Sequence, residues 1–452
     1  MQEKPEKPTP EAVSSDASAP AGADAASTDV APARVAPTHV APAHVAPTEV
    51  PWRIQIAVYG IGLFSTSIFH IAAVVVPLYV ATMNPSPMMF GLVFSANHLL
   101  PLFLSIHTGA LMDRLGARRV MIVCTTMGAL IPLLYPVWPW IWALVVLQMF
   151  FGLSESMGWL GAQTMIGQFM HGRTVYAGRL SFVIRLGQLV AGPMAGVTWD
   201  LAGPWGAFVL MGLWGCGSVI CSLMLPPQPV DPTAQPAEGG RRAKMRALLP
   251  NVTDYLTAFR LLSVPAVVVI VLLGALMHVG NSVQGSFYVA WLAEMGLTGT
   301  AIGLLGPAAA IGAALFSLLT APLMRYVGGL WIALVSLWAG ILLICATPLF
   351  GSYFLLQLAM FLRSGANGLA QPLVITLVLR GAGRENQGKA IGLRGTANRI
   401  SSIISPLAMG ALAQAFGLEL SFYLVGALVS IVMIGIAIYL WRRPEISKAG
   451  ED

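Results

Sequence analysis

From Arg53 onward the sequence alternates long apolar runs with short polar breaks. A helix needs about 20 residues to cross a bilayer core about 30 Å thick. Twelve runs come to about that length, at roughly 54–82, 87–112, 120–138, 140–168, 178–200, 204–225, 263–291, 300–324, 329–349, 352–379, 390–415 and 420–441. Breaks such as MNPSP, YPVWP and AGPWG carry the Pro and Gly expected of turns. The pattern predicts an all-α integral membrane protein with twelve transmembrane helices. The longest interruption, 226–262, contains PPQPVDPTAQPAEGGRRAK and divides them into a first half, 51–225, and a second, 263–441.

Composition excludes the alternatives. Hydrophobic residues make up 56% of the 452 and charged ones 10%, against about 25% charged in an ordinary soluble domain. So little polarity cannot cover a water-exposed surface, so the surrounding solvent is the lipid bilayer. The net charge of +6 falls between apolar runs, where it sets topology, and no nucleic-acid partner is expected. Cys124, Cys216, Cys221 and Cys345 lie inside apolar runs without CxxC spacing, as buried packing residues. No metal, cofactor or phosphate-loop pattern is present, so no enzymatic activity is expected.

Residues 1–50 differ in kind. VAPAR, VAPTH, VAPAH and VAPTE repeat with period five over 30–49, and proline at that spacing forbids a regular helix. A disordered cytoplasmic tail is expected there, and a second short tail at 442–452. His39 and His44 are tail residues and not metal ligands.

Twelve spans put both termini on one side. On that side fall Arg53, Arg114, Arg118, Arg119, Arg173, Arg179, the Arg241–Arg246 run, Arg325, Arg380, Arg384, Lys389, Arg394, Arg442 and Arg443. The opposite loops (83–86, 135–140, 200–204, 292–299, 348–353 and 416–419) hold no Lys or Arg. By the positive-inside rule both ends are cytoplasmic, in an inner (plasma) membrane.

The halves are related. An offset of 212 sets Gly91 over Gly303, Leu111–Met112 over Leu323–Met324 and Gly116 over Gly328. An offset of 213 sets Pro193 over Pro406, and 214 sets GPWGAFVLMG over GLELSFYLVG. A nearly constant offset across three span pairs describes two pseudo-symmetric six-helix halves. Secondary transporters are built from such repeats, with the site between halves near the midplane.

Between spans two and three lies GALMDRLGARR, residues 109–119, the densest charge cluster in the membrane region. It resembles the signature loop of the major facilitator superfamily, Gly-x-Leu-x-Asp-Arg-x-Gly-x-Arg-Arg, at every defined position. Gly109 permits close helix approach, and Gly116 permits the left-handed backbone of a short turn. The resemblance implies that Asp113 docks on the N-terminus of span eleven as a conformational latch, with Arg114, Arg118 and Arg119 supporting it. A carboxylate at a helix N-terminus gains about 0.3–2 kcal/mol, enough to bias one state and weak enough to release.

GQLVAGPMAG, 187–196, resembles the span-five element of the drug/proton antiporter branch through Gly192, Pro193 and Gly196, but Val197 stands where that element has a second Gly. A kinked packing helix explains the same residues. The span-four pattern Arg-x-x-Gln-Gly is degraded: its positions read Gln148 and Phe151, and only Gly152 matches.

A charge at mid-helix costs about 2.5–3.5 kcal/mol on insertion scales, so it faces a cavity or a partner. Glu155, Arg185 and Arg363 lie near the middle of spans four, five and ten. Glu155 and Arg185 are expected to pair, either statically or with Glu155 as a proton carrier. Arg363 has no acidic partner within its half and is a candidate for an anion. Arg399 is read as snorkelling toward the cytoplasmic end of span eleven. His70 and His278, on spans one and seven, and Asn281, Gln284 and Asn367 complete the candidate substrate and proton residues.

The resemblance implies a monomeric, proton-coupled secondary transporter of a small organic metabolite or drug-like compound, by rocker-switch alternating access with export favoured. Uptake of a small organic anion is the alternative, and a transport-dead membrane receptor or accessory subunit a third.

Overall fold

The computed structural model describes residues 50–170, 173–226, 262, 264–381 and 387–445, and no strand occurs among them. The tail and most of the central linker lie outside these residues. Twelve spans follow in order. The first four are α1 (Trp52–Thr82), α2 (Pro87–Leu115), α3 (Ala117–Leu134) and α4 (Ile141–Met170). One helix, Thr174–Met224, holds two spans across a kink at Gly203, whose φ is 66°; they are α5 (174–202) and α6 (204–224). The AGPWG break is therefore a bend of one residue rather than a loop.

In the second half, α7 runs from Pro265–Val283 through a π-helical turn, Gln284–Tyr288, into Val289–Glu294. Short segments Gly299–Gly303, Leu305–Leu318 and Thr320–Leu323 make up α8. Then come α9 (Gly329–Cys345), α10 (Tyr353–Gly381), α11 (Gln387–Phe416) and α12 (Leu418–Arg442). Eight described helices are long and apolar enough to cross a membrane, the α5–α6 helix being one of them. α9 is apolar but only 17 residues long, and α10 and α11 fall short because they carry buried Arg and amides.

Lipid supplies no hydrophobic force between helices, so small residues and hydroxyls hold them together. Ser65 and Ser218 hydroxyls meet at 2.5 Å, joining α1 to α6. The Trp214 indole donates to Ser67 at 2.8 Å, and in the other half Trp338 donates to Ser430 at 2.9 Å. A Cβ on Gly152 would lie 1.8 Å from the Asn97 carbonyl oxygen. The surviving glycine of the span-four pattern thus brings α4 against α2.

The repeat is visible in three dimensions. A Cβ on Gly91 would lie 2.2 Å from the Pro406 carbonyl oxygen, and one on Gly303 would lie 2.3 Å from that of Gly192 and 3.3 Å from the Pro193 Cα. So α2 meets α11 through the same paired positions by which α8 meets α5.

The buried core is continuous across both halves at the Arg-poor end, running from Ile71, Phe90, Tyr135 and Phe208 to Phe287, Leu292 and Ile302. The Phe90 and Phe287 rings lie 4.9 Å apart there. At the Arg-rich end the first half has a separate core around Met112, Met121, Met165 and Tyr176, whereas in the second half the main core itself continues to Leu330, Val378, Ala390 and Leu440, with a small cluster of Val267, Val271 and Leu393 beside it. Among the described residues the halves are therefore sealed to each other at the Arg-poor end and packed separately at the other. Of the four cysteines, Cys216 departs from expectation: it is exposed on α6, while the other three are buried.

Candidate functional site

The signature loop is a sharp turn between α2 and α3, made by Gly116 with φ 85°. Gly109 lies within α2, and the side chains of Asp113 and Arg114 lie outside what the structure describes. Arg118 donates to the Leu223 carbonyl at 3.1 Å, holding the end of α6, and Arg119 is exposed.

At the opposite end a second carboxylate binds a helix start. Asp200, at the end of α5, accepts the Gly299 N–H at 2.8 Å, the Thr300 N–H at 2.7 Å and the Thr300 hydroxyl at 2.6 Å. The Thr298 hydroxyl accepts from the next N–H, Ala301, at 3.2 Å. The orphan donors that open α8 are thus shared between its own cap and the other half. Gly192 and Gly196 make this contact possible: a Cβ on Gly196 would lie 2.0 Å from the Gly299 carbonyl oxygen. The span-five element is an inter-half packing surface.

In the membrane interior the expected Glu155–Arg185 pair does not form. Arg185 is exposed, and the Thr174–Met224 helix packs along α1 and barely touches α4. Chain neighbours in a bundle need not be neighbours in space, and α5 turns this face away. The cation that acts on Glu155 is Arg399 of α11, with the Asn97 amide beside the carboxylate. Arg399 does not snorkel. It crosses between halves, donating to the Ser156 hydroxyl at 2.9 Å and lying 3.4 Å from His98 Nδ1. Asn97 in turn donates to buried Gln148 at 3.2 Å.

Glu155 Oε2 is buried without a hydrogen-bond partner. It lines a small void with Ser65, Thr125, Ser154 and Ser218. Ser154 spends its proton on the Cys124 carbonyl at 2.6 Å and Thr125 on that of Met121 at 2.7 Å. Their lone pairs, with Oε2, leave this void rich in acceptors.

A second polar cluster forms wholly within the other half. Arg363, 2% exposed, donates to Gln284 Oε1 and to Asn281 Oδ1, the latter at 3.2 Å, and Asn367 donates to the same Asn281 oxygen at 3.2 Å. Four candidates from α7 and α10 are brought together. His278 stands apart from them, 3.5 Å from the Ser402 hydroxyl of α11. His70 is half-buried against Phe69, with ring centroids 5.3 Å apart.

Sequence reasoning missed Asp200 and misread Arg399. The repeat held a signal for the first: Gly303 and Pro193 are the partners of Gly91 and Pro406, which places the end of α5 beside the start of α8. For Arg399 the signal was depth, since it lies near the middle of a 30-residue helix.

No curated protein matches the sequence. Solved structures do match the fold. A nucleoside transporter, NupG, superposes with a TM-score of 0.66 at 15% identity, over 85% of this chain and 98% of that one. A bacterial homologue of the human lysosomal transporter Spinster, inward-facing and unoccupied, gives 0.66 at 15%, over 89% and 98%. A D-xylose–proton symporter gives 0.63 at 14%, over 86% and 97%. The family model described as Major Facilitator Superfamily matches residues 58–283 and 270–451. The matched segments span both six-helix halves, and the chain belongs to the Major Facilitator Superfamily, as a membrane transporter of small substrates and not an enzyme.

Proposed function

We propose that this protein is a proton-coupled secondary transporter of a small organic compound, with Glu155 as the proton carrier and Arg399 as its conformational partner. The observation that carries the reading is the reach of Arg399 from α11 to Ser156 and His98 in the other half, beside a carboxylate with an unpartnered oxygen. A deprotonated Glu155 attracts Arg399 and favours this inter-half bridge. A proton on Glu155 cancels the attraction and leaves the bridge held by neutral contacts alone, so protonation biases the rocking of one half against the other. The solved neighbours add one consistent precedent, since one of them is a proton symporter.

On this reading the protein works as a monomer in the inner membrane, both termini cytoplasmic. Export is the favoured direction, supported by the Gly192–Pro193–Gly196 element and its resemblance to antiporters.

The test is reconstitution into vesicles loaded with a pH-sensitive dye. Nucleosides, sugars, organic acids and cationic drugs are added in turn. At least one compound class should move protons with wild-type protein and none with Glu155→Gln, while Glu155→Gln still exchanges labelled compound. Compound flux without proton movement, or an unaltered Glu155→Gln, overturns the coupling.

A further inference from the structure

We propose that Arg363, Gln284, Asn281 and Asn367 form the site for the carboxylate of a small organic acid, so that the transported compound is a monoanion. This rests on the transporter reading above and specifies its cargo.

The first argument is charge. Arg363 is buried in the membrane interior, and the ionisable groups near enough to act on it are Tyr288 and Cys345, both neutral as ordinary phenol and thiol. No ion pair to it forms among the described residues. Its contacts are amide oxygens, which solvate a guanidinium but do not neutralise it. An uncompensated cation at this depth is expensive, and its usual role is to meet a charged ligand or partner.

The second argument is the hydrogen-bond inventory. Arg363 Nε has no partner. The Gln284 amide nitrogen is spent on the Met360 thioether, 3.2 Å away, a weak acceptor. The site therefore holds two under-used donors beside a free positive charge, and its acceptors are neutral amide oxygens alone. A carboxylate supplies what is missing. It accepts from a guanidinium in the planar two-point geometry that suits both groups. Asn281 and Gln284 can follow, because a primary amide that rotates exchanges its oxygen for its NH₂ and turns from acceptor to donor, with the Asn367 amide turning in step and Gln284 giving up only its weak bond to Met360.

The backbone provides the movement. Gln284 opens the π-helical turn of α7, and such turns are irregularities found frequently at functional sites. Relaxing the turn shifts Gln284 off Arg363 without breaking the flanking helix. Gly280 faces the same guanidinium, a Cβ there lying 3.5 Å from Nη2. A single positive charge selects a monoanion, since a dianion would leave a net negative charge in the low-dielectric interior.

The test uses purified full-length protein in detergent, with acetate, benzoate, acetamide, benzamide and inorganic phosphate as probes, read by thermal shift and calorimetry. At least one carboxylate should raise the melting temperature while its amide does not. Arg363→Gln should weaken that binding at least about tenfold, as loss of a charged hydrogen bond does, without lowering the melting temperature of the empty protein. Gln284→Glu supplies an internal counter-charge, so it should stabilise the empty protein and abolish carboxylate binding. Should Arg363→Gln not fold, Gln284→Glu alone decides. Three results overturn the site: no carboxylate acts on wild type, amide and carboxylate act alike, or both variants keep wild-type binding. Phosphate binding more tightly than every carboxylate overturns the monoanion assignment. Proton-linked transport of a neutral compound that survives Arg363→Gln would leave the coupling reading standing and remove this one alone.

Discussion

Asp200 accepts the backbone N–H of Thr300 at 2.7 Å and its hydroxyl at 2.6 Å, tying the end of α5 to the first turn of α8. The contact joins the two halves at the end where their cores are continuous. A carboxylate at a helix N-terminus is worth about 0.3–2 kcal/mol, or roughly two- to thirtyfold in a conformational ratio. It is strong enough to bias the closed state of the Arg-poor end and weak enough to break in each cycle.

Asp200→Asn keeps the shape and removes the charge, so the Arg-poor end should open more often. Ser95, buried where α2 meets the Ile403 carbonyl of α11, reports on that opening. With the native cysteines removed, Ser95→Cys should label severalfold faster from the Arg-poor side in the Asp200→Asn background. Equal labelling rates would show that the contact does not control closure.

Gly196→Val tests the surface beneath it. With a Cβ 2.0 Å from the Gly299 carbonyl oxygen and 2.9 Å from the Thr300 Cα, neither backbone has room to yield. Transport should fall below a tenth of wild type while the protein stays monodisperse on gel filtration, because each half keeps its own packing. Transport near the wild-type level would mean that this close approach is not part of the cycle.

Arg399 and Arg185 should behave differently. Arg399→Ala removes the cation beside Glu155, and a carboxylate without that cation keeps its proton to higher pH, so the pH profile of transport should move toward alkaline values. Arg185→Ala, on an exposed position, should leave the profile in place. A profile moved by Arg185→Ala and not by Arg399→Ala would reverse the assignment.

Asp113→Asn should act against Asp200→Asn. The signature loop implies a latch at the Arg-rich end, so losing its charge should favour opening there. The two sites lie at opposite ends of the bundle, and effects of distant sites add. The double variant should therefore return the Ser95→Cys labelling rate most of the way to its starting value. A double variant that labels like Asp200→Asn alone would leave Asp113 without a latch function.

Much of this was written along the chain. Span lengths, the Arg-free loops and the offset of 212–214 residues need only depth and order, which a helix rising at a fixed step supplies directly. Depth likewise picked out Glu155 and Arg363 as interior charges. Rotation and neighbour choice are another matter. A helix apolar on every side has no polar stripe to show which face turns inward, so nothing in α4 or α5 says that Glu155 looks toward α11 while Arg185 looks outward. The approach of Arg399 to the neighbourhood of Glu155, 244 positions away, and the bonds of Thr300 to Asp200, a hundred positions away, exist only once the halves are packed. The sequence determined how many helices cross and in which order. The tertiary structure decided which buried charges meet, because in lipid that choice is made by close packing of small residues such as Gly152, Gly192 and Gly196, and not by any local pattern.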